Sequence, residues 1–185
     1  MTTTLNGKRI AFLVANSGVE QIELTSPWQH VQDAGGQPVL IALEKSEVQA
    51  MNGDVEKGDT FQPDLAVADA DAGDFDGLVL PGGVANPDKL RTDADAVALV
   101  KSFASAGKPI AAICHGPWTL IEAGVVDGTT LTSWPSLQTD IRNAGGTWED
   151  REVVTSDAGG FSLVTSRKPD DLSAFNDALT DQFSK

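Results

Sequence analysis

A chain of 185 residues, 41% of them apolar, is long enough to bury a core and is expected to fold as one domain over residues 1–185. Its net charge of −14, dispersed along the sequence, argues against nucleic acid or an anionic membrane as a partner. One cysteine excludes an intramolecular disulfide and points to a reducing, cytoplasmic compartment, and no apolar run approaches the ~20 residues of a membrane helix.

The opening "MTTTLNGKRIAFLVANSG" has no basic leader or small-residue cleavage site, so its apolar part reads as a first strand, "KRIAFLVA", rather than a signal sequence. A turn, "NSGVEQIEL", leads to a helix, "SPWQHVQDAGG", in which Ser26 caps, Pro27 takes the first position, and Gly35 and Gly36 close the end. "QPVLIAL" is the second strand, and "VQAMNGDVEKGDTFQPD" has the glycines and loose alternation of a small antiparallel hairpin. "FDGLVLPGG" is a strand ending in a Pro-Gly-Gly turn, "TDADAVALVKSFASAG" is a helix stopped at Gly107, and "KPIAAI" is the fourth core strand. Beyond it come a helix in "HGPWTLIEAG", a strand in "TTLTS", a helix in "SLQTDIRNAGG", a hairpin in "EVVTSDAGGFSLVTS" and a closing helix in "PDDLSAFNDALTDQF". The alternation predicts a three-layer α/β/α sandwich on a mostly parallel sheet. In such sheets ligands bind beyond the carboxyl ends of the strands, where the loops holding Glu20, Gly82 with Gly83, and Cys114 are expected to meet.

"AICHG" runs from strand into helix with the only cysteine at its centre and Ala112 and Gly116 on either side, the small-x-nucleophile-x-small plan of a nucleophile elbow. Such a turn aims the Cys114 sulfur at the amino end of the next helix, where backbone N–H groups favour thiolate, and Pro117 suits that helix's first turn. The alternative, a structural thiol, belongs inside an element rather than at a junction. His115 is either the adjacent base or a surface imidazole turned away from the sulfur, while His30 falls in mid-helix. Glu20 either closes a capping box with Ser17 or points into the crevice as a protonated partner of the thiolate. Gly82 and Gly83 either form a bare turn or bring backbone donors to a developing oxyanion. Trp134 is a candidate pocket wall, Trp118 reads as core packing, and the two histidines and one cysteine have no metal-ligand spacing.

Together "ANSGVEQIEL", "LVLPGG", "NPDKLR", "AAICHGPWTLIEAG", "LTSWPSLQTDIRNAGG" and "LVTSRKPDDLSAFN" resemble the ThiJ/PfpI family of the class I glutamine amidotransferase-like superfamily, most of all its PfpI-type general stress proteins, from about Lys8 to Phe183. The resemblance implies a flavodoxin-like sandwich with Cys114 as nucleophile, Glu20 as its protonated hydrogen-bond partner, His115 beside it, and backbone N–H groups of Gly83 and His115 as oxyanion donors. It also implies that Asp88, in "NPDKLR", serves the histidine of a neighbouring subunit, so that a homodimer or larger homo-oligomer completes the site. The peptidase archetype carries glutamate at that position, and the later histidine of the amidotransferase relatives has no counterpart after His115.

The activity so implied is a cofactor-free, cysteine-dependent stress-response enzyme of the glyoxalase or deglycase type. It would act on methylglyoxal or early glycation adducts without metal, nicotinamide or glutathione. The alternatives are a cysteine peptidase or amidase with a Cys114–His115–Asp88 triad across subunits, and a redox sensor or holdase in which Cys114 oxidises.

Overall fold

In the computed structural model, which describes residues 4–185, the first strand is apolar on both sides because both of its faces are covered. Ile10, Phe12 and Val14 project into one buried cluster, and Ala11 and Leu13 into another. The first three positions of the expected 1–185 domain lie outside the described residues.

In chain order the elements are β1 (Arg9–Val14), β2 (Ser17–Glu20), α1 (Gln21–Asp33), β3 (Gln37–Ala42), β4 (Val48–Asn52), β5 (Glu56–Phe61), β6 (Leu65–Ala66) and β7 (Gly77–Leu80). Then come α2 (Ala85–Leu90), α3 (Ala94–Ser105), β8 (Ile110–Ile113), α4 (Pro117–Glu122), β9 (Thr130–Leu131) and α5 (Gln138–Asn143). The chain closes with β10 (Thr147–Trp148), β11 (Val154–Ser156), β12 (Leu163–Ser166) and α6 (Leu172–Phe183).

The central sheet has the order β11-β12-β8-β7-β1-β3-β6 among the described residues. Every pairing in it is parallel except β11 with β12 at one edge. One face is covered by Leu24 and Val31 of α1 with Phe175, Leu179 and Phe183 of α6. The other is covered by Leu90 of α2, Leu99, Val100 and Phe103 of α3, Leu120 of α4 and Ile141 of α5. This is the expected α/β/α sandwich.

From β1 the chain builds outward through β3 to β6, then returns to place β7 on the other side of β1. The sheet therefore reverses its winding between β1 and β7, and a crevice opens there above the carboxyl ends of the strands. The hairpin expected between residues 48 and 64 is β4 paired antiparallel with β5, and β2 joins it to make a small second sheet at this end.

One boundary differs from the sequence expectation in a way that matters. α1 begins at Gln21, not at Pro27, and Pro27 sits in the helix interior on the buried face. Proline there removes one N–H from the helical ladder, which the packing of Leu24, Pro27 and Val31 against the sheet outweighs. The residues read as a turn therefore divide between β2 and the first turn of α1.

Candidate active site

Strand β8 is buried along its whole length, and it delivers Cys114 into a left-handed backbone conformation with φ of 62°. A residue with a Cβ adopts that conformation only where its surroundings fix it. Here the Cys114 N–H donates to the Ser166 carbonyl at 3.0 Å, and its carbonyl accepts from the Trp134 N–H at 2.8 Å. Gly116 follows because a Cβ there would come within 2.5 Å of the Leu80 carbonyl oxygen. The elbow expected from "AICHG" is present, with Pro117 opening α4 directly behind it.

Gly82 and Gly83 are required by close approach from the other side. A Cβ on Gly82 would stand 2.3 Å from Glu23 Oε2 and 2.6 Å from Cys114 Cβ, and one on Gly83 would stand 2.2 Å from the Gly18 carbonyl oxygen. With nothing in the way, the backbone N–H groups of Gly83 and His115 both reach the Cys114 sulfur. Two donors converging on a nucleophile also suit an oxygen that becomes negative beside it.

The carboxyl group against the sulfur belongs to Glu23, which corrects the expectation for Glu20. Glu20 ends β2 in extended conformation, and its carboxylate turns to the hairpin, accepting from the Gly53 N–H at 2.9 and 3.2 Å. Glu23, in the first turn of α1, lies on the stripe of Leu24, Pro27 and Val31 and is fully buried. Its Oε2 accepts the Gly82 N–H at 2.9 Å, its side chain lies against Cys114, and among the described residues its Oε1 has no hydrogen-bond partner. The signal was available in the sequence: a helix begun at Gln21 puts one acid on an otherwise apolar face.

Burial pushes the Glu23 carboxyl up to about 8, and the negative charges of Glu20 and Asp54 act in the same direction. Burial also pushes the Cys114 thiol up, charge on Glu23 pushes it further, and the Gly83 and His115 N–H groups pull it down. Two anions cannot be held side by side in so dry a place, so a thiolate forms at Cys114 only with Glu23 protonated beside it.

His115 is buried with Nδ1 3.2 Å from Cys114 Sγ, so the imidazole faces the sulfur rather than solvent. Its ring stacks on Trp134 at 5.8 Å between centroids and meets Trp118 at 5.1 Å, tilted. Burial lowers its proton affinity while the charge of Asp54 opposes, which keeps it neutral and able to exchange a proton. Trp118 packs partly against the core, as expected, but also donates from Nε1 to Asp140 at 2.9 Å.

Cys114, His115, Glu20, Glu23, Gly83 and Trp134 line one cavity of about 300 Å³ with Gly53, Asp54 and Pro169. Gly82 binds Glu23 from behind it. Asp54 has a positive φ of 65° at the hairpin tip, anchored by the Val84 N–H at 2.7 Å, and no sequence signal singled it out. Asp88 lies on the exposed side of α2, outside this cavity. Among the described residues, no cysteine or histidine lines a groove of about 410 Å³ beside Trp28 and Phe61. Among the described residues no group of three or more His, Cys, Asp or Glu is arranged to hold a metal ion, and no helix is long and apolar enough to cross a membrane.

Comparison with known proteins identifies the family. The chain is 43% identical over 170 residues to YraA of Bacillus subtilis, a protein named as a candidate cysteine protease, covering 91% of this chain and 94% of that one. It is 40% identical over 170 residues to protein/nucleic acid deglycase 2 of Escherichia coli, with the same coverage. The crystal structure of Drosophila melanogaster DJ-1beta superposes with a TM-score of 0.82 at 30% identity, over 96% of this chain and 91% of that one. With a cysteine elbow on this sheet, and with the sequence model of the DJ-1/PfpI family matching residues 8–182, the chain belongs to the DJ-1/PfpI family.

Proposed function

We propose that the chain is a cofactor-independent cysteine enzyme that converts reactive aldehydes, free or as early adducts on amines and thiols, to hydroxy acids. The observation that carries this is Cys114 at a strained elbow, beside the buried Glu23 carboxyl and 3.2 Å from His115 Nδ1. Such a set supplies a soft nucleophile and two groups that move protons, which is what isomerising an α-oxoaldehyde needs. The deglycase name of one relative supports the same direction.

With methylglyoxal, the thiolate adds to the aldehyde carbon, and the oxygen that becomes negative takes hydrogen bonds from the Gly83 and His115 N–H groups before it is protonated. Loss of the proton on that carbon to the His115–Glu23 pair gives an enediol. Protonation at the neighbouring carbon gives the lactate thioester, which water hydrolyses to lactate and free thiol. The net reaction is methylglyoxal plus water to lactate and a proton, with no oxidant. Wild type and Cys114→Ser are to be compared for lactate formation without glutathione; lactate that vanishes with the substitution supports the reading, and an equal rate in the mutant overturns it.

A second reading, peptide or amide hydrolysis across a subunit boundary, draws on the exposed placement of Asp88 and on the protease name of another relative. Self-association is part of both readings. Its support is that the exposed large apolar residues Ile22, Val55, Val84 and Trp134 all lie at or next in sequence to the walls of the site. Fluorogenic peptides cleaved by the oligomer and spared by Asp88→Asn would favour the second reading. We place the protein in the cytoplasm on the strength of its single free thiol.

A further inference from the structure

We propose that Glu20 and Asp54 set the substrate class of this site, admitting uncharged or cationic electrophiles and turning away those that carry a carboxylate. For natural substrates this rests on the aldehyde-directed reading above; for the sulfur itself it does not.

Both carboxylates stand on the wall of the cavity that holds Cys114. Each is fixed by a backbone donor, Glu20 by Gly53 and Asp54 by Val84, so neither swings away when a ligand enters. Among the described residues neither forms a salt bridge, and no lysine or arginine lines the cavity. The cations that flank it in sequence are engaged elsewhere: Lys168 with Asp170 at 3.1 Å, and Arg167 with Asp171 and Asp150. Lys89 contacts Ser17 Oγ in a neighbouring cavity that shares only Asp54 with this one.

At the mouth, the half-exposed Trp134 adds an uncharged aromatic wall with no cation to balance the two carboxylates. An uncharged aldehyde, or its adduct on a lysine or arginine side chain, meets attraction or indifference here. The hydroxy-acid product is an anion and meets repulsion, so the same charges that admit the substrate help expel the product.

Alkylation of the chain's only thiol tests this without assuming any natural reaction. The sulfur displaces iodide from iodoacetamide, which is neutral, or from iodoacetate, which is an anion, and intact mass follows either product. The rate ratio of amide to acetate in the folded chain is divided by the same ratio in urea, which removes the reagents' intrinsic difference. Because it is a ratio on one sulfur, it also cancels any change in the thiol's own reactivity. Two carboxylates acting across a few ångströms of poorly screened space are expected to raise it about tenfold or more. In the Glu20→Gln, Asp54→Asn double variant, whose amides keep the acceptors for Gly53 and Val84, it should fall toward one.

A double variant with the wild-type ratio overturns the proposal, as does a wild-type ratio near one. Should the double variant fail to fold, the single variants Glu20→Gln and Asp54→Asn decide: a ratio that falls in either supports the carboxylates, and one that holds in both overturns them. Absence of lactate formation with the ratio intact would remove the aldehyde reading and leave the charge selection standing.

Discussion

Glu20 and Glu23 carry the same functional group three positions apart, and their environments make them different reagents. Glu20 is half-exposed and bonded to one backbone N–H; Glu23 is fully buried, with a raised proton affinity and the thiol against it. Replacing Glu23 by Gln should cost roughly a hundredfold or more in kcat, the usual scale for a positioned acid or base, and Glu20→Gln should act mainly on KM for charged substrates. Stability should move the other way. The folded value of Glu23, about 8, lies above the 4.5 of an unperturbed carboxyl, so the folded state holds its proton longer. Stability from this group is therefore complete below pH 4.5 and is lost as pH rises toward 8. Glu23→Gln removes the titration, so thermal melts from pH 5 to 9 should show wild type losing ground against the variant by several kcal/mol. A constant difference across that range would show that Glu23 does not carry its proton into the neutral range.

At the scale of elements, the loop after β12 is held as firmly as the elbow it supports. Ser166 at the end of β12 accepts the Cys114 N–H. The next residue, Arg167, grips Asp171 through Nε and Nη2, each at 2.9 Å, while its backbone N–H donates to the same carboxylate at 3.1 Å. Pro169, which lines the site, is enclosed in that clamp. Burial alone would raise the Asp171 carboxyl, but the Arg167 hydrogen bonds outweigh it and hold the group below the usual carboxylate range. Its contribution to stability is thus present at neutral pH and lost in acid as the folded group takes up its proton. Asp171→Asn should cost about 2 kcal/mol at pH 7 and clearly less in acid below the ordinary carboxylate range, measured by urea unfolding at both. An equal cost at both pH values would make the loss one of packing rather than charge.

The core strands, α3, α6 and the elbow were legible in the sequence, because apolar runs bounded by Gly, Pro and Asp leave little choice of element, and because the elbow's small residues are a steric demand. The start of α1 was not. Ser26-Pro27 is a strong local signal for a helix N-terminus, and packing of Leu24 and Val31 overrode it. That single displacement moved the acid of the site from Glu23 to Glu20. α2, with β2, was hidden for another reason: each is four to six residues long and is ordered by what it touches, not by its own periodicity. Asp54 was illegible because only the fold brings the tip of β4–β5 over the cleft.

For the whole molecule, a net charge of −14 and an apolar site mouth pull in opposite directions. Two copies that meet over Ile22, Val55, Val84 and Trp134 would bury apolar surface while bringing Glu20, Asp54 and Asp88 of each chain toward a like-charged neighbour. Salt screens the repulsion and strengthens apolar association, so self-association should tighten as NaCl rises from low to near-molar concentration. An interface built on ion pairs would loosen instead. Sedimentation equilibrium across that range separates the two, and Trp134→Ala tells whether the mouth is the surface involved. If the substitution weakens assembly at every salt concentration, association and substrate access share one face. The carboxylates that select the substrate then also set how readily the chains come together. If assembly ignores Trp134, the interface lies elsewhere, and Asp88 cannot be reaching a partner's His115 across this surface.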